Sequence, residues 1–415
     1  MQRSHMPKHA GSRLFSSESV TEGHPDKVCD QIADEVLDQI IRNEGGDPSL
    51  RCACEVLLTA GTAVVAGEFT CSETPDADAV VRQVLRDIGY DDPRAGADAD
   101  SIRVLWLGHE KPYDTASGEN SDRTRYFDVP EDELDSLRPN DQSILFGYAC
   151  DDTPELMPLP IQAANLLAAR LAEVRHAGIL PYLLPDGKTM ITVSYDEDMR
   201  PVGIDRVLVS TQHAAGTDLG MLRRDVTEHV IRPVIDELGF GRSTTRISVN
   251  PGGDFSLGGP FVDTGATNRK LVVDTYGGMG RCGGGGLSGK CLVKVDRIGA
   301  YLARRIAKHV VAAEVARRCE VQIAYAPGLG EPFSVSVDTF GTGVVGDDRI
   351  DRAIAEAFDF RSEAIIRELD LRRPIYRRTA AYGHFGRTEF PWERLDADKV
   401  AELSAVREEA TKAHA

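Results

Sequence analysis

Residues 28–69 read VCDQIADEVLDQIIRNEGGDPSLRCACEVLLTAGTAVVAGEF, and this stretch shows the pattern on which the rest of the chain is built. It begins with apolar residues at three- and four-residue spacing, which predicts an amphipathic helix over 28–41 with acidic residues on its other face. The apolar face consists of Val28, Ile32, Val36, Leu37 and Ile40. Two runs rich in Val, Leu and Thr follow at 51–58 and 62–69. Because Ala60-Gly61 between them suits a turn, these runs predict a β-hairpin.

The same order of helix and strands recurs further along the chain. Apolar periodicity predicts helices over 77–88, 160–176, 219–238 and about 295–315, and strands over 189–195, 202–211, 270–275, 319–325 and 332–340. This alternation predicts an α+β fold of three pseudo-symmetric domains, each a mixed or antiparallel β-sheet with helices on one face. Sequence similarity between the three units is too faint to establish a repeat.

A chain of 415 residues is longer than one hydrophobic core usually supports, so several domains are expected. We place an N-terminal domain at 13–108, a central domain at 141–254 and a C-terminal domain at 255–395. Residues 1–12 are predicted to be a disordered or tag-like N-terminus, and the last residues, 396–415, a C-terminal helix or tail.

The segment 109–140 has a different texture. It loses apolar periodicity and is rich in Gly, Pro, Ser, Asp and Glu over about thirty residues, which is long for a connection inside a compact domain. Such segments are typically either functional lid loops or solvated linkers between domains. Both interpretations are open at this point.

Composition and charge narrow the classes of function. The formal net charge of -18 disfavours general binding to nucleic acid or to anionic membranes, since both need a broad positive field. Neither a long apolar span nor the apolar segment of a signal peptide is present, so a cytoplasmic protein is expected. The eight cysteines form no CxxC pair, which argues against a zinc ribbon or a thioredoxin-type site and favours free thiols.

A glycine-rich loop lies between four cations and one carboxylate. The cations are Arg269, Lys270, Lys290 and Lys294, and the carboxylate is Asp296. Glycine lets backbone N–H groups approach phosphate oxygens, lysine and arginine neutralise their charge, and a carboxylate can hold a hydrated magnesium ion. The loop therefore predicts a polyphosphate site.

Two familiar motifs match this loop in part. Residues 284–290 spell GxxxxGK, but Cys291 replaces the Ser or Thr that would bind magnesium in a P-loop. Residues 278–283 spell GxGxxG, the fingerprint of dinucleotide sites, although a run this rich in glycine matches it easily. A flexible surface loop is the remaining alternative. The basic residues spaced through the loop, in an otherwise acidic chain, favour phosphate binding instead.

Near the N-terminus, the run SESVTEGHPDK at 17–27 leads directly into the first predicted helix. Pro25 and Asp26 both suit a helix start, so the run can be read as a structural signal alone. The functional interpretation is that His24 meets a phosphate oxygen and Asp26 a magnesium ion, beside the partial positive charge of the helix end.

Together with these residues, short strings along nearly the whole chain resemble the S-adenosylmethionine synthetase family. They are GHPDK at 23–27, DQ at 141–142, FGYA at 146–149, STQH at 210–213, GGP at 258–260, RK at 269–270, DTYGG at 274–278, KVDR at 294–297 and YGHFGR at 382–387. They occur in the order typical of the family, and a chance coincidence of so many rare strings is negligible.

The resemblance implies an enzyme that adenosylates a thioether. The sulfur of methionine would attack C5′ of ATP and release the whole triphosphate, which is then hydrolysed to pyrophosphate and phosphate. A neutral thioether carries no proton to remove, so no general base is needed, and the site should instead be rich in cations and metal carboxylates. The family also implies a homodimer, often paired into a homotetramer, with each active site at a subunit interface, and a lid formed by residues 109–140.

The resemblance also implies roles for individual residues. The triphosphate would be held by His24, Lys188, Arg269, Lys270, Lys290 and Lys294, and two Mg2+ ions by Asp26 and Asp296. A K+ ion would lie at Glu55. The adenosine or ATP would meet Asp141, Asp186, Asp254, Phe255, Asp263 and Gly286, and the amino acid would meet Glu68, Glu110, Asp263, Lys294 and Pro327.

Several positions depart from the family pattern. Arg138-Pro139-Asn140 precedes Asp141 where the family has glycines, and Glu110 stands where a glutamine is usual. Asp254 replaces a cation beside adenosine, Cys282 a histidine, Cys291 an aspartate, and Pro327 an aliphatic residue. All predicted triphosphate cations and both magnesium carboxylates are kept, so the changes gather at the lid, the adenosine edge and the acceptor end.

Three alternatives to methionine adenosylation follow. The first is a divergent paralogue that adenosylates another methionine-like thioether, because Glu110 would repel an amino acid's carboxylate. The second is a non-catalytic ATP-binding regulatory homologue, which the intact Lys and Asp set disfavours. The third is an oxidoreductase, which rests on the GxGxxG match alone.

Overall fold

The computed structural model describes residues 13–46, 50–92, 95–110, 139 and 141–414, with the side chains of 110 and 409–414 outside this description. The strands are β1 Arg13–Val20, β2 Arg51–Thr59, β3 Thr62–Thr70, β4 Arg103–Glu110, β5 Ser143–Cys150, β6 Leu183–Tyr195, β7 Pro201–His213, β8 Arg246–Val249, β9 Gly265–Ala266, β10 Arg318–Tyr325 and β11 Ser334–Asp338. The helices are α1 Pro25–Glu44, α2 Ala77–Ile88, α3 Leu159–His176, α4 Leu219–Val226, α5 Arg232–Glu237, α6 Leu271–Asp274, α7 Val295–Ala312, α8 Asp347–Ala357, α9 Ser362–Glu368 and α10 Ala397–His414.

The strands form three sheets, in the orders β4-β3-β2-β9, β1-β6-β7-β8 and β11-β10-β5. The pairs β3–β4 and β7–β8 are parallel, and the other pairs are antiparallel. The helices α1, α3 and α7 pack against these three sheets in turn. The predicted α+β fold with three sheet-and-helix units is therefore confirmed.

Each sheet contains a strand from a distant part of the chain. β1 pairs with β6, although about 160 residues separate them, and β5 pairs with β10. The two-residue strand β9 joins the sheet of β2, β3 and β4. The sheets thus interlock the segments 13–108, 141–254 and 255–395, whose division into domains stays a prediction.

The opening stretch of sequence folds as expected. The helix predicted over 28–41 lies within α1, and the hairpin of β2 and β3 closes with Thr59 opposite Thr62. Ala60 and Gly61 between them have positive φ angles of 42° and 74°. Glycine adopts such angles readily, which explains the turn at this point. The strands β1, β4, β5, β8 and β9 were not anticipated.

The prediction of a strand over 270–275 was wrong. The structure has the short helix α6 there, in which the Asp274 amide donates to the Lys270 carbonyl at 2.8 Å. Val272 and Val273 favour strands by propensity, but tertiary contacts override that preference. One such contact is made by the buried Asp274 carboxylate, which accepts a hydrogen bond from Lys27 at 2.5 Å.

The helix predicted over 219–238 is present but interrupted. A π-helical turn at Thr227–Ile231 separates α4 from α5. Pro233, the second residue of α5, has no N–H to continue the α-helical hydrogen bonding, so a wider turn before it is a physical consequence. Within the described ranges, no helix combines the length and the apolar character needed to cross a membrane.

The acidic face of α1 does not face solvent. The carboxylates of Asp26, Asp30, Asp34 and Asp38 repeat every four residues and are all buried. A buried carboxylate needs a cation or N–H donors, and each of the four finds them in the C-terminal third of the chain. The helix is therefore buried on both faces, between its sheet and the residues after 265.

The C-terminal helix α10 is attached to α7 through a buried histidine. Nδ1 of His309 lies 2.7 Å from the Arg305 carbonyl, and its Nε2 accepts a hydrogen bond from the Asp396 amide at 2.9 Å. Burial lowers the pKa of His309 from 6.5 to about 4. The neutral ring is therefore the form that the folded protein accommodates.

Acid should weaken this attachment. Because the pKa of His309 is lower in the folded state than in the unfolded chain, its contribution is complete above pH 6.5 and is lost as the pH falls towards 4. In His309→Gln this loss is absent, so the stability difference between wild type and variant should change by about 3 kcal/mol over that interval. Denaturant unfolding at several pH values measures the difference, and parallel pH curves would contradict the expectation.

Candidate active site

The start of α1 carries a neutral histidine with a defined proton position. His24 is 2% exposed and caps the helix, since its Nδ1 accepts a hydrogen bond from the Asp26 amide at 3.2 Å. Burial, together with the nearby Lys270 and Lys188, lowers its pKa to about 3. With Nδ1 occupied as an acceptor, the neutral ring carries its proton on Nε2. His24 is therefore a hydrogen-bond donor without charge.

Asp26 joins this helix start to the RK segment. Its carboxylate accepts hydrogen bonds from Lys270 Nζ at 2.5 Å and from the Ala266 amide at 3.0 Å, and Arg269 Nε lies 3.5 Å away. Burial raises the pKa of Asp26, but these hydrogen bonds and the Lys270 charge outweigh burial and lower it. An ionised carboxylate and two cations thus meet beside His24.

A further acidic and basic pair lies on β6. Asp186 is buried and accepts a hydrogen bond from the Gly259 amide at 3.0 Å. Burial raises its pKa to about 6, with Asp263 raising it further and Lys188 opposing both. Its other oxygen, Oδ1, accepts no hydrogen bond from any described residue. Lys188 influences both Asp186 and His24, so these groups belong to one cluster with Asp26 and Lys270.

The glycine loop holds a second ion pair. Lys290 Nζ lies 2.9 Å from Asp296 Oδ2, and Ser143 Oγ donates to Asp296 Oδ1 at 2.7 Å. A Cβ atom on Gly285 would lie 1.9 Å from Asp296 Oδ1, and one on Gly286 would lie 2.1 Å from the Asn268 side chain. The loop is packed against these groups, which argues against a flexible surface loop.

Asn268 connects the two clusters. Its side chain accepts from the Ser288 amide at 3.0 Å and donates to the Ser288 carbonyl at 3.1 Å, while its own amide donates to Asp30 at 2.8 Å. Its φ angle is 61°, which asparagine tolerates better than most residues. The RK segment, the glycine loop and α1 are thereby tied together at one residue.

Two of the predicted cations are available for a ligand. Lys188 is exposed, and Lys294 is half-buried at the N-terminal end of α7. In the part of the chain that the structure describes, neither ammonium group has a hydrogen-bond or ion-pair partner. Arg269 remains about half exposed beside them, although its Nη1 donates to the Thr264 carbonyl at 3.0 Å.

The predicted adenosine residues at 254–255 lie around a buried histidine. His213 Nε2 accepts a hydrogen bond from the Phe255 amide at 3.0 Å, and Asp254 Oδ1 lies 3.6 Å from the same nitrogen. The Asp254 side chain is mostly exposed and accepts from Ser256 Oγ at 2.6 Å. The Phe255 ring packs on Gly258, where an added Cβ would come within 2.8 Å.

The remaining predicted site residues occupy separate positions. Glu55 on β2 accepts a hydrogen bond from Thr267, and Glu68 lies on β3 opposite Ala53. Exposed Pro327 precedes Gly328, whose amide donates to the Pro139 carbonyl at 2.9 Å, two residues before exposed Asp141. Glu110 ends β4, and its side chain lies outside the described residues. The lid prediction falls on 109–140, of which 111–138 and 140 are also outside them.

Sequence reasoning missed the buried charges that support the site. Lys27 lies between Asp30 at 2.8 Å and Asp274 at 2.5 Å, with all three side chains buried. Burial lowers the pKa of Lys27, but the two carboxylates outweigh burial and raise it, so the ammonium stays charged. The signal for these contacts was the four-residue repeat of aspartates along α1.

The three parts of the chain match models of one protein family. The N-terminal domain of S-adenosylmethionine synthetase matches residues 12–111, the central domain matches 137–255, and the C-terminal domain matches 257–394. The S-adenosylmethionine synthase of Desulforudis audaxviator (strain MP104C) is 50% identical over 403 residues, which cover 97% of this chain and 99% of that protein.

The packing of the glycine loop predicts a contrast between adjacent glycines. In Gly285→Ala, the new methyl group would collide with Asp296, so Asp296 and its Lys290 partner must move. In Gly284→Ala the methyl group meets nothing within 4 Å, which makes it the matched control. We expect Gly285→Ala to weaken binding of inorganic triphosphate at least tenfold, and Gly284→Ala to change it less than twofold. Calorimetric titration measures this, and equal affinities in the two variants would contradict it.

Proposed function

This chain belongs to the S-adenosylmethionine synthetase family, and we propose that the groups at the start of α1 and around the glycine loop form its active site. The chain is a transferase of the methionine adenosyltransferase type, which makes S-adenosylmethionine from ATP and methionine. Its similarity to an S-adenosylmethionine synthase over nearly the full length does not favour another thioether or a non-catalytic role.

The observation that carries the site proposal is the contact between Asp26 and Lys270. It joins GHPDK, at the start of α1, to the RK segment 244 residues later in the chain. A neutral histidine donor, an ionised carboxylate and several cations meet there at the positive end of a 20-residue helix. This combination suits a ligand with several phosphate groups.

The proposed chemistry needs positioning and charge neutralisation rather than a base. The thioether sulfur attacks C5′ of ATP, the C5′–O bond breaks, and the electron pair leaves with the triphosphate. His24, Lys188, Arg269, Lys270, Lys290 and Lys294 would stabilise the charge on that leaving group. Cations fixed before the reaction are worth most for this purpose, because they need no reorganisation when the charge develops. The released triphosphate would then be hydrolysed at the same cations to pyrophosphate and phosphate.

The family is metal-dependent, and we propose Asp26 and Asp296 as the ligands of two Mg2+ ions. Among the described residues, no three His, Cys, Asp or Glu side chains form a metal-binding group by themselves. One carboxylate per ion fits magnesium, which keeps several waters and binds substrate phosphates. Bound magnesium would neutralise charge on the triphosphate oxygens. Glu55 is the proposed ligand of a K+ ion.

We assign the adenosine and the methionine to two sets of residues that share Asp263. The adenosine would lie near Asp141, Asp186, Asp254, Phe255, Asp263 and Gly286. The partnerless Oδ1 of buried Asp186 supports a polar contact there. Glu68, Glu110, Asp263, Lys294 and Pro327 would surround the methionine.

A homodimer or homotetramer, with active sites at a subunit interface, completes the proposal. Exposed apolar side chains lie on strands of two sheets and support such a contact: Leu57 on β2, Leu107 on β4 and Ile144 on β5. We expect no binding to nucleic acid or membranes, because the net charge of -18 opposes it. The cytoplasm is the proposed location.

The two available lysines provide a test of the phosphate site. Lys188→Met and Lys294→Met should each lower kcat/KM for S-adenosylmethionine formation about 100-fold or more, the usual effect of removing one group that stabilises transition-state charge. Their melting temperatures should not change, because neither ammonium has a partner among the described residues. Exposed Arg224→Met is the control, with activity within twofold of wild type. Full activity in both lysine variants would contradict the assignment.

The acceptor can be identified by competition. Methionine should give a higher kcat/KM than ethionine, by about tenfold for the added methylene, and a still larger advantage over thioethers that carry a second carboxyl group. Triphosphate should appear only as pyrophosphate and phosphate. A thioether other than methionine with the highest kcat/KM would instead identify a divergent synthetase, in which Glu110 and Asp254 would be the first residues to exchange.

A further inference from the structure

We propose that Asp34, through its buried pair with Arg297, is a positioning residue for Lys290 and Asp296. Asp34 and Arg297 are both fully buried. Arg297 Nη1 donates to Asp34 Oδ1 at 2.6 Å, and Nη2 donates to Oδ2 at 2.8 Å. The role rests on the proposed function of Lys290 and Asp296, which this pair supports from behind.

The pair contacts the backbone on both sides of Lys290. The Gly289 amide donates to Asp34 Oδ1 at 2.8 Å, and Arg297 Nη1 lies 3.3 Å from the Lys290 carbonyl. The Gly289 carbonyl accepts from the Cys54 amide at 2.9 Å. The peptide groups around Lys290 are therefore fixed by buried partners on both sides, and two of those partners are Asp34 and Arg297.

The backbone at Gly289 leaves no room for a side chain. Its φ angle is 78°, and a Cβ atom there would lie 2.1 Å from the Cys54 carbonyl oxygen. Only glycine combines that angle with so close an approach. This close approach brings the Gly289 amide to Asp34, and the Lys290 side chain beside it extends to Asp296.

The Asp296 end concerns the first turn of α7. Arg297 follows Asp296 directly, and its guanidinium also donates to Tyr301 at 3.0 Å and to Thr379 at 2.9 Å. A planar guanidinium with two parallel bonds to a carboxylate has a defined orientation. Asp34 thus binds both the first turn of α7, which carries Asp296, and the loop that carries Lys290.

Asp34 also relates this pair to the other cluster. It lies eight residues after Asp26 on α1, which is about 12 Å along a helix. Because one helix carries both carboxylates, the distance between the Asp26–Lys270 and Lys290–Asp296 pairs is set by a rigid element. Without the Asp34–Arg297 pair, the Lys290–Asp296 pair would no longer be held at this distance from the Asp26–Lys270 pair.

The experiment replaces the charges without leaving one of them unpaired. In Asp34→Leu/Arg297→Met both charges are removed. Replacing a buried ion pair by apolar residues often leaves the stability of a protein unchanged or increases it. The control is Arg304→Met/Lys308→Met/Glu393→Leu, which removes another buried ion cluster on α7 without touching Lys290. Measured are kcat and KM with methionine and ATP, the magnesium concentration for half-maximal rate, and hydrogen exchange of the peptide 286–296.

The proposal expects a specific pattern. In Asp34→Leu/Arg297→Met, kcat falls at least tenfold and KM for methionine changes less than twofold. The magnesium concentration for half-maximal rate rises, and the amide hydrogens of residues 286–296 exchange faster. The control keeps kcat within twofold and unchanged exchange in that peptide. If Asp34→Leu/Arg297→Met does not fold, Arg297→Lys takes its place, because a lysine keeps the charge but lacks the planar fork that makes two parallel bonds to Asp34; a fivefold fall in kcat is expected.

Other outcomes overturn the proposal. If folded Asp34→Leu/Arg297→Met or Arg297→Lys keeps kcat within twofold of wild type and unchanged hydrogen exchange, the Asp34–Arg297 pair has only a structural role. An equal fall in kcat in the control shows that the loss of any buried ion cluster involving α7 lowers activity. A wild-type protein that forms no S-adenosylmethionine refutes the proposed function instead, and the exchange measurement still tests whether Asp34 holds the loop.

Discussion

Four buried carboxylates on one helix determine how this molecule is assembled. Charged groups leave water only when opposite charges or N–H donors replace it, so each of these four carboxylates requires such a partner. Asp26 binds Lys270, Asp30 binds Lys27 and the Asn268 amide, and Asp34 binds Arg297. Asp38 accepts from the amides of Tyr376 and Arg377, at 3.0 and 2.9 Å. The C-terminal third is thus attached to α1 along the length of the helix.

The same series connects the core to the candidate site. Asp30, Asp34 and Asp38 are enclosed, and burial raises the pKa of Asp38 to about 7. Asp26, in the first turn of the helix, keeps a lowered pKa because the hydrogen bonds from Lys270 and the Ala266 amide compensate its burial. Because its other three carboxylates are paired inside the protein, the helix presents Asp26, and the neutral His24 beside it, in a fixed geometry. Preorganisation of this kind lets cations stabilise a leaving group without moving.

Periodicity and motifs predicted much of this fold, and contacts between distant segments account for the rest. The helix at 77–88 and the hairpin after α1 depend on local pattern and turn residues, and they were predicted correctly. The strand at 270–275 was predicted wrongly because the Lys27 contact that bends it lies far away in sequence. The motifs identified the candidate cations, whereas the buried partners Lys27, Asp274 and Arg297 lay unexplained within the same motifs. Each motif thus contains both candidate ligand-binding residues and residues that hold them in place. Only the contacts in the structure distinguish the two.

The unusual cysteines of the glycine loop fit this distinction. Cys291 stands where the resemblance leads one to expect aspartate, yet it is 1% exposed and its Sγ accepts a hydrogen bond from the Cys52 amide at 3.0 Å. A thiol satisfies that amide without the cost of a buried charge, so the change suits packing against β2. Near Cys282, the Arg281 amide donates to Glu320 on β10 at 2.8 Å, on the side of the loop that faces the third sheet. The side-chain hydrogen bonds of Lys290 and Asp296 involve neither cysteine. The loop therefore departs from the family pattern at residues near its packing contacts, whereas Lys290 and Asp296 are kept. This is the pattern expected if the phosphate chemistry is retained.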